Sequence, residues 1–491
     1  MTPTKNPAVL ASRLKELLFT IDQSAQELQK YLSELSVHDV SGAEEHSQGG
    51  PAAGDTYQKT FIFHKTPQVA THASVVRMAC DRLAHLVTPP MHRVIEAAGS
   101  FYTTASLQTC VRGDIADHIE ALSKDRSGAS VEDLADASKL DQDLLARTLR
   151  YLSLHGLFQE VEIGVFQNTT PTRTLINNSE FKADLDYLMH ESRLGGFAME
   201  SFMKKRYAAR WQRELTPALS PFEVYSGGIP IQEWMQLPDN VDRRQNFSKA
   251  MQGLSRAEKA LPLMRAYPFT SFPRGTVLVD VGSGVRYNLA ENLLPACPNL
   301  MMIVEDLEHV AKSKIDNASP DMTRWMNEGR LKFQVHDIFK FHPEYLKGSV
   351  FVVNNIINQY HENDPRALAT LRAIRASNPS RLLIIDAILN PPLNTEPRLY
   401  ADDQMPHTSP QEMISPKGSA FPQTESLLLP PQSQVLPSII DLMVATVGGG
   451  KVRTLKEWST LLAHSGFSLN KVYPIRDYRS DGQAVLEAFV V

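Results

Sequence analysis

An apolar run, VLVDVG at 277–282, leads directly into Gly282-Ser283-Gly284, and a helical stretch follows from about Asn288. Glycines at a strand-to-helix turn let the backbone approach a ligand closely. The next apolar run, MMIVEDL at 301–307, closes on Glu305-Asp306, where an acidic side chain meets ribose hydroxyls in ligand-binding α/β sheets. The third, LKFQVHD at 331–337, closes on His336-Asp337, with Ile338-Phe339 behind it. Two glycines alone specify little. A glycine turn with acids at the next two strand ends specifies more: a site outside the carboxyl ends of the strands for a ligand that carries a ribose. No GxxxxGK[ST] occurs, so a phosphate-cradling P-loop is not supported.

The elements that must hold these residues are legible from pattern. SVFVVNNI (349–356) and RLLIIDA (381–387) continue the series of apolar runs, separated by helical stretches. Such alternation implies a parallel sheet covered on both faces, an α/β doubly wound domain. FSLNKVYPI (467–475) and AVLEAFVV (484–491) are expected to close it as a hairpin. Upstream, Leu10, Leu14, Leu17, Leu18, Ile21, Leu28, Leu32 and Leu35 form one face of a helix over 7–35, and the polar, Gly-rich stretch 37–56 reads as a linker. Residues 66–123 read as helices with a break at Pro89-Pro90.

Over 128–173, Ser130 and Leu140-Asp141 open two short helices, Gly156 ends the second, and two short strands flank Gly164. This is a winged-helix pattern. Without a basic recognition face it favours a structural or dimerisation module over DNA binding. Four segments result: an arm and linker (1–55), a winged-helix-like domain (56–178), a helical linker and pocket region (179–268), and the α/β domain (269–491) with a Pro-rich insert at 390–437.

Composition excludes other classes. Fifty Lys+Arg against 55 Asp+Glu in 491 residues give a net charge of −5, unlike a basic nucleic-acid binder. Three cysteines, Cys80, Cys110 and Cys297, form no CxxC pair and no metal spacing, so buried free thiols and no metal are expected. No apolar run is long enough to span a membrane and no signal pattern opens the chain, so a cytoplasmic protein is expected.

In order and spacing, D-V-G-S-G, I-V-E-D-L-E-H-V and H-D-I-F resemble the S-adenosylmethionine (SAM) dependent O-methyltransferases of plant caffeic-acid type and their fungal relatives. WMQLPDNVDRRQNFSKAM (234–251) resembles that family's W-x-x-L…F-x-x-x-M segment. The resemblance covers about 66–390 and 438–491. It implies a Rossmann-like class I methyltransferase domain behind a winged-helix-like dimerisation domain, a homodimer, and SAM as cofactor. It places Gly282 and Gly284 along SAM, Asp306 on its ribose and Asp337 at its adenine, with Phe339 a further cofactor-binding residue. Tyr360 would line the substrate pocket; Met251 and Met443 would be its apolar walls or ordinary core residues; and His190, in the helix linking the domains, would either reach the substrate or be a satisfied structural histidine.

Three positions depart from the family. Arg286 stands where D-V-G-G-G-x-G has its last Gly, beside the cofactor loop, where it either points to solvent or reaches into the pocket. Asn358 stands where L-H-D-W carries the basic His, and a carboxamide has no basic lone pair near neutral pH. Val452 replaces the Glu of G-K-E-R-T, one of the two carboxylates that orient that His; the other corresponds to Asp386. His361 lies three residues beyond Asn358, too far for a slip in register.

Base and one orienter are gone while the cofactor motifs remain. That combination resembles the fungal SAM-dependent pericyclases of 2-pyridone alkaloid pathways, which act on polyketide–amino acid intermediates by Diels–Alder, hetero-Diels–Alder or Alder-ene closure, some after a dehydration. Two other readings stay open: an O-methyltransferase with an unusual base, and a catalytically inactive binding protein on the same fold.

Overall fold

The computed structural model describes residues 7–34, 67–123, 127–209, 220–259, 263–282, 284, 289–361, 365–389, 435–475 and 482–491. They form two compact units. One comprises Pro7–Arg193 and Met235–Gly253; the other comprises Leu194–Trp234 and Leu254–Val491. The stretch 179–268 is thus shared between the two bodies.

The α/β unit is built on one seven-stranded sheet. Its strands are β4 (Thr276–Val281), β5 (Leu300–Asp306), β6 (Leu331–Val335), β7 (Val350–Asn354), β8 (Arg381–Ala387), β9 (Phe467–Pro474) and β10 (Gln483–Val490). The spatial order is β6-β5-β4-β7-β8-β10-β9. The pairs from β6 through β8 are parallel, and β10 runs antiparallel to both β8 and β9. The closing hairpin therefore inserts its second strand between β8 and its own first strand. Each face carries its own apolar cluster, one around Leu278, Leu293, Trp325 and Leu383, the other around Val279, Phe351, Leu371 and Trp458. Burial on both faces is why these strands read as continuous apolar runs rather than as alternation.

In the helical unit, the helix Pro7–Glu34 packs along the helix Pro67–Val87, and a second long helix begins at Pro90. The break falls at Pro89-Pro90, as expected. Ser130 accepts the Asp133 N–H and opens the helix Val131–Ser138; Asp141 accepts the Leu144 N–H and opens Gln142–Ser153. β2 (Gln159–Glu162) and β3 (Val165–Gln167) form the wing, joined by a third short strand, β1 (Ala129–Ser130), that the pattern did not reveal. A two-residue strand is too short to show a period.

The expectation of buried thiols needs a correction, since Cys80 is exposed while Cys110 and Cys297 are buried. The Pro-rich insert also ends sooner than its composition suggested: a helix runs Val435–Gly448 and holds Pro437 in its first turn, where a proline's missing N–H has no helical partner to lose. The linker 37–56, residues 390–434 of the insert, and Arg286 lie outside the described residues. Among the described residues no helix is long and apolar enough to cross a membrane.

Candidate functional site at the carboxyl ends of the strands

Parallel strands end on one edge of a sheet, so the residues that follow β4, β5, β6, β7 and β8 are brought to a common rim. Gly282 leaves β4 with φ 65°, and a Cβ there would lie 3.0 Å from Ile338 and 3.1 Å from Ile356. Both its conformation and its packing require glycine. Gly284 also has a positive φ, of 66°, and its N–H donates to Asp306 Oδ2 at 2.7 Å. Asp306 is buried at the end of β5, and its Oδ1 accepts the Leu307 N–H at 2.9 Å. A carboxylate has about four lone-pair sites, so acceptor capacity remains for a ligand's hydroxyls. Asp337 follows β6 and accepts the Phe339 N–H at 3.1 Å, while the Phe339 ring is exposed. The glycine turn, the two acids and the aromatic ring that the sequence singled out therefore share the rim of one unit. Their donor set fits a ribose-bearing cofactor with a flat base.

Asn358 lies on a 3₁₀ turn, Ile357–Gln359, just past β7, and Asp386 lies near the end of β8. Asn358 Nδ2 donates to Asp386 Oδ1 at 3.0 Å, and the Ala387 N–H donates to the same oxygen at 2.7 Å. Asp386 Oδ2 is buried with no hydrogen-bond partner among the described residues. Burial lifts the Asp386 carboxyl to about 7, against the opposing pull of the Ala387 N–H, Arg453 and Asn358. The asparagine side chain is thus held by a carboxyl that changes protonation state near neutrality.

The loop 450–453 locks this turn in place. A Cβ on Gly450 would collide with the Asn358 carbonyl oxygen, and the Lys451 N–H donates to that oxygen at 2.8 Å. Arg453 is buried and donates to the carbonyls of Ile357 at 2.8 Å, Tyr360 at 2.7 Å and His361 at 3.2 Å. Val452 is fully buried, and its N–H donates to Asp441 Oδ1 at 2.8 Å. Burial raises the Asp441 carboxyl above its ordinary range. Asp441 was not found by sequence reasoning, because it forms no motif and reaches the loop from the helix Val435–Gly448, 11 residues upstream of Val452. Arg453 matches the Arg of G-K-E-R-T, but the motif alone gives it no role.

The remaining candidates fall in different places. Met443 is half-buried on that same helix. Tyr360 is buried in the core of one sheet face, with the Arg366 guanidinium 5.0 Å from its ring centroid and the Phe339 ring at 6.3 Å. His361 does not stand in for the missing base, because its Nε2 is taken by Arg206 Nη2 at 2.7 Å. His190 and Met251 belong to the helical unit. His190 sits in a π-helical segment, Leu188–Ser192, and its buried Nδ1 has no partner among the described residues. Burial and then the nearby Arg243 and Arg112 depress its pKa to about 4, so the ring is neutral at pH 7.

No protein-family model matches the chain. In sequence it is 24% identical over 494 residues to 4-O-methyltransferase 1 of Phanerochaete chrysosporium, covering 94% of this chain and 96% of that protein. In structure it is similar to the mitomycin 7-O-methyltransferase MmcR, with TM-score 0.54, 18% identity, and coverage of 85% of this chain and 100% of that one. It is also similar to LepI in complex with SAM (TM-score 0.59, 17% identity, 86% and 94% coverage). A pericyclic reaction enzyme matches equally well (TM-score 0.59, 16% identity, 86% and 95% coverage). The chain is thus similar in sequence to fungal O-methyltransferases and has the class I methyltransferase fold.

Proposed function

We propose that this protein is a SAM-binding pericyclase of fungal secondary metabolism. It would close a ring in a polyketide–amino acid intermediate of the 2-pyridone type by a Diels–Alder, hetero-Diels–Alder or Alder-ene reaction. The observation that carries the reading is the Asn358–Asp386 pair: at the position where a methyltransferase needs an imidazole base, this chain holds a carboxamide fixed by a buried carboxyl. A pericyclic step needs no base. It needs the reacting ends held together and a donor at a carbonyl that becomes electron-rich in the transition state. An asparagine Nδ2 has two N–H groups. Asp386 takes one, which leaves the other for a substrate carbonyl. Where ring closure follows a dehydration, a carboxyl that titrates near 7 can deliver the proton to the departing hydroxyl.

Gly282, Gly284, Asp306, Asp337 and Phe339 would hold SAM. When bound, SAM supplies a fixed sulfonium charge beside the substrate and is not consumed. Residue chemistry at the rim supports this assignment through the acceptors and the glycine turn described above, and the LepI complex offers the parallel.

A second reading, an O-methyltransferase acting on a secondary metabolite, is favoured by the names of the sequence relatives and by Asp386, which could itself serve as base. Incubation of the protein and SAM with a pathway polyene separates the two. A pericyclase forms product while S-adenosylhomocysteine stays at background, and it slows when S-adenosylhomocysteine replaces SAM. Asn358→Leu should lower its kcat by about 10²–10³, the effect of removing one preorganised donor. Accumulation of S-adenosylhomocysteine in step with product would sink the pericyclase reading.

A further inference from the structure

We propose that Glu305, His336 and His342 form a binding site for a divalent ion of the zinc class. Each offers one ligand-type atom, and the three atoms lie within 4.8 Å of one another. Sequence spacing gave no hint of a metal and none was expected, because the ligands come from the end of β5 and from the segment after β6. Only the parallel pairing of those strands brings them together.

The hydrogen bonds around the cluster arrange it for coordination. His336 Nε2 lies 3.2 Å from the Lys340 carbonyl oxygen, which can only accept. The proton therefore sits on Nε2, and Nδ1 carries a free lone pair in the neutral ring. The Gln334 amide donates to Glu305 Oε1 at 2.8 Å and orients the carboxylate, the kind of outer support that metal ligands receive. His342 Nδ1 lies 2.6 Å from Glu305 Oε2, with both side chains fully buried.

The decisive atom is His342 Nε2, which is buried and has no partner among the described residues. If His342 is charged, that nitrogen is an orphan N–H. If the ring is neutral with its proton on Nδ1, it is an orphan lone pair. Either costs free energy in a buried site, where polar atoms are otherwise paired. A metal ion on Nε2 removes that cost, and Glu305, now hydrogen-bonded to Nδ1 of the same ring, gives up that bond to enter one shell with His342 and His336. Zinc ligands at about 2.0–2.2 Å in tetrahedral array stand roughly 3.3 Å apart, so the ligand atoms must close from separations of up to 4.8 Å. Two imidazoles and one carboxylate suit zinc or cobalt rather than calcium or magnesium, which prefer all-oxygen shells. Bound metal would clamp the ends of β5 and β6, next to Asp306 and Asp337. The proposal does not rest on the pericyclase reading, and its readout is metal content rather than turnover.

The test uses the full chain, free of any polyhistidine tag and stripped with chelator, then titrated with Co²⁺ and followed by d–d absorption. Zn²⁺ competition and metal analysis by mass spectrometry accompany it. Wild type should take up a single equivalent with a tetrahedral-type spectrum and gain thermal stability with Zn²⁺. His336→Ala, at a half-buried position, should weaken binding by at least about a hundredfold and lose the Zn²⁺-dependent Tm shift. Glu305→Gln, which keeps the shape, should do the same. If His342→Ala does not fold, these two variants still decide the matter. Failure of wild type to bind Co²⁺, or uptake that persists in both variants, would overturn the site.

Discussion

Each unit buries a cluster of charged and polar side chains, and the two clusters are built on opposite principles. In the helical unit, Arg243 donates to Glu191 Oε1 and Oε2 and to Asp186 Oδ2, each at 2.6 Å. Asp186 also accepts from Arg112 at 2.7 Å and from Gln108 at 3.0 Å. Burial opposes ionisation of Asp186, yet these donors together hold its carboxyl down at about 2. In the α/β unit, Asp386 has one oxygen saturated and the other bare, and no cation bonds to it among the described residues; its carboxyl rises to about 7. In the satisfied network, the donors fix the charge state of Asp186 and hold a fold, although burial still pushes the neighbouring Glu191 carboxyl upward. An under-satisfied buried carboxyl leaves two protonation states close in energy, which is what chemistry at a site requires. Burial alone does not separate structure from function; the partners of the buried group do.

The largest effect should come from breaking the satisfied network. Arg243→Met leaves Glu191, fully buried, without its cation. The loss should be about 5 kcal/mol of unfolding free energy, read as a lower denaturant midpoint at an unchanged m-value. The double variant Arg243→Met with Glu191→Gln should recover part of that loss, since no buried charge is then stranded. A double variant no more stable than the single one would mean that the arginine acts by packing, and the contrast between the units would weaken.

Asp386 should show its nature in the pH dependence of stability. Its folded pKa, about 7, lies above its ordinary value of 3.8. The native state then keeps a proton that the unfolded chain has released between about pH 4 and 7, so stability falls as pH rises through that window. The full swing is about 4 kcal/mol. Asp386→Asn keeps an acceptor for Asn358 and the Ala387 N–H but cannot titrate, and it should flatten this limb. Denaturation curves at closely spaced pH values for the two proteins make the comparison. Parallel curves would show that Asp386 stays ionised and that the bare oxygen finds water.

What the sequence disclosed follows from where the signal was local. The strand runs, Gly282 and Gly284, the Ser130 and Asp141 caps and the break at Pro89-Pro90 each depend on neighbours in the chain, and each stands in the structure at or near its expected place. The resemblance located Asn358 and Asp386, and the structure joins them by a hydrogen bond. Residues brought in by tertiary folding were not legible. Asp441 reaches Val452 from another helix, Arg453 pins a turn more than 90 residues away, and His342 meets Glu305 across 37 positions. Asp441 and His342 have no period or motif, and the motif that contains Arg453 does not say what its guanidinium will meet, because the tertiary fold that assembles them is not written locally.

His190 provides the finest test, because it is the point where the helical unit departs from its own rule. Its ring stands among Arg243, Arg112 and Arg193, opposed by Asp186, and its Nδ1 has no partner among the described residues. Arg243 and Arg112 are already committed to carboxylates, so the imidazole gains nothing by charging. Its folded pKa of about 4 lies below the ordinary 6.5. The unfolded chain therefore binds a proton first as pH falls, and the stability that neutral His190 contributes, complete above 6.5, is lost on the way down to 4. This limb runs opposite to that of Asp386 over an overlapping range. It should be smaller, about 2 kcal/mol, because the ring is only half-buried. His190→Gln should remove the acid-side loss and leave the Asp386 limb intact, while Asp386→Asn should do the reverse. If the two variants shift the same limb, the two groups titrate as one coupled system and the separation drawn between the units fails.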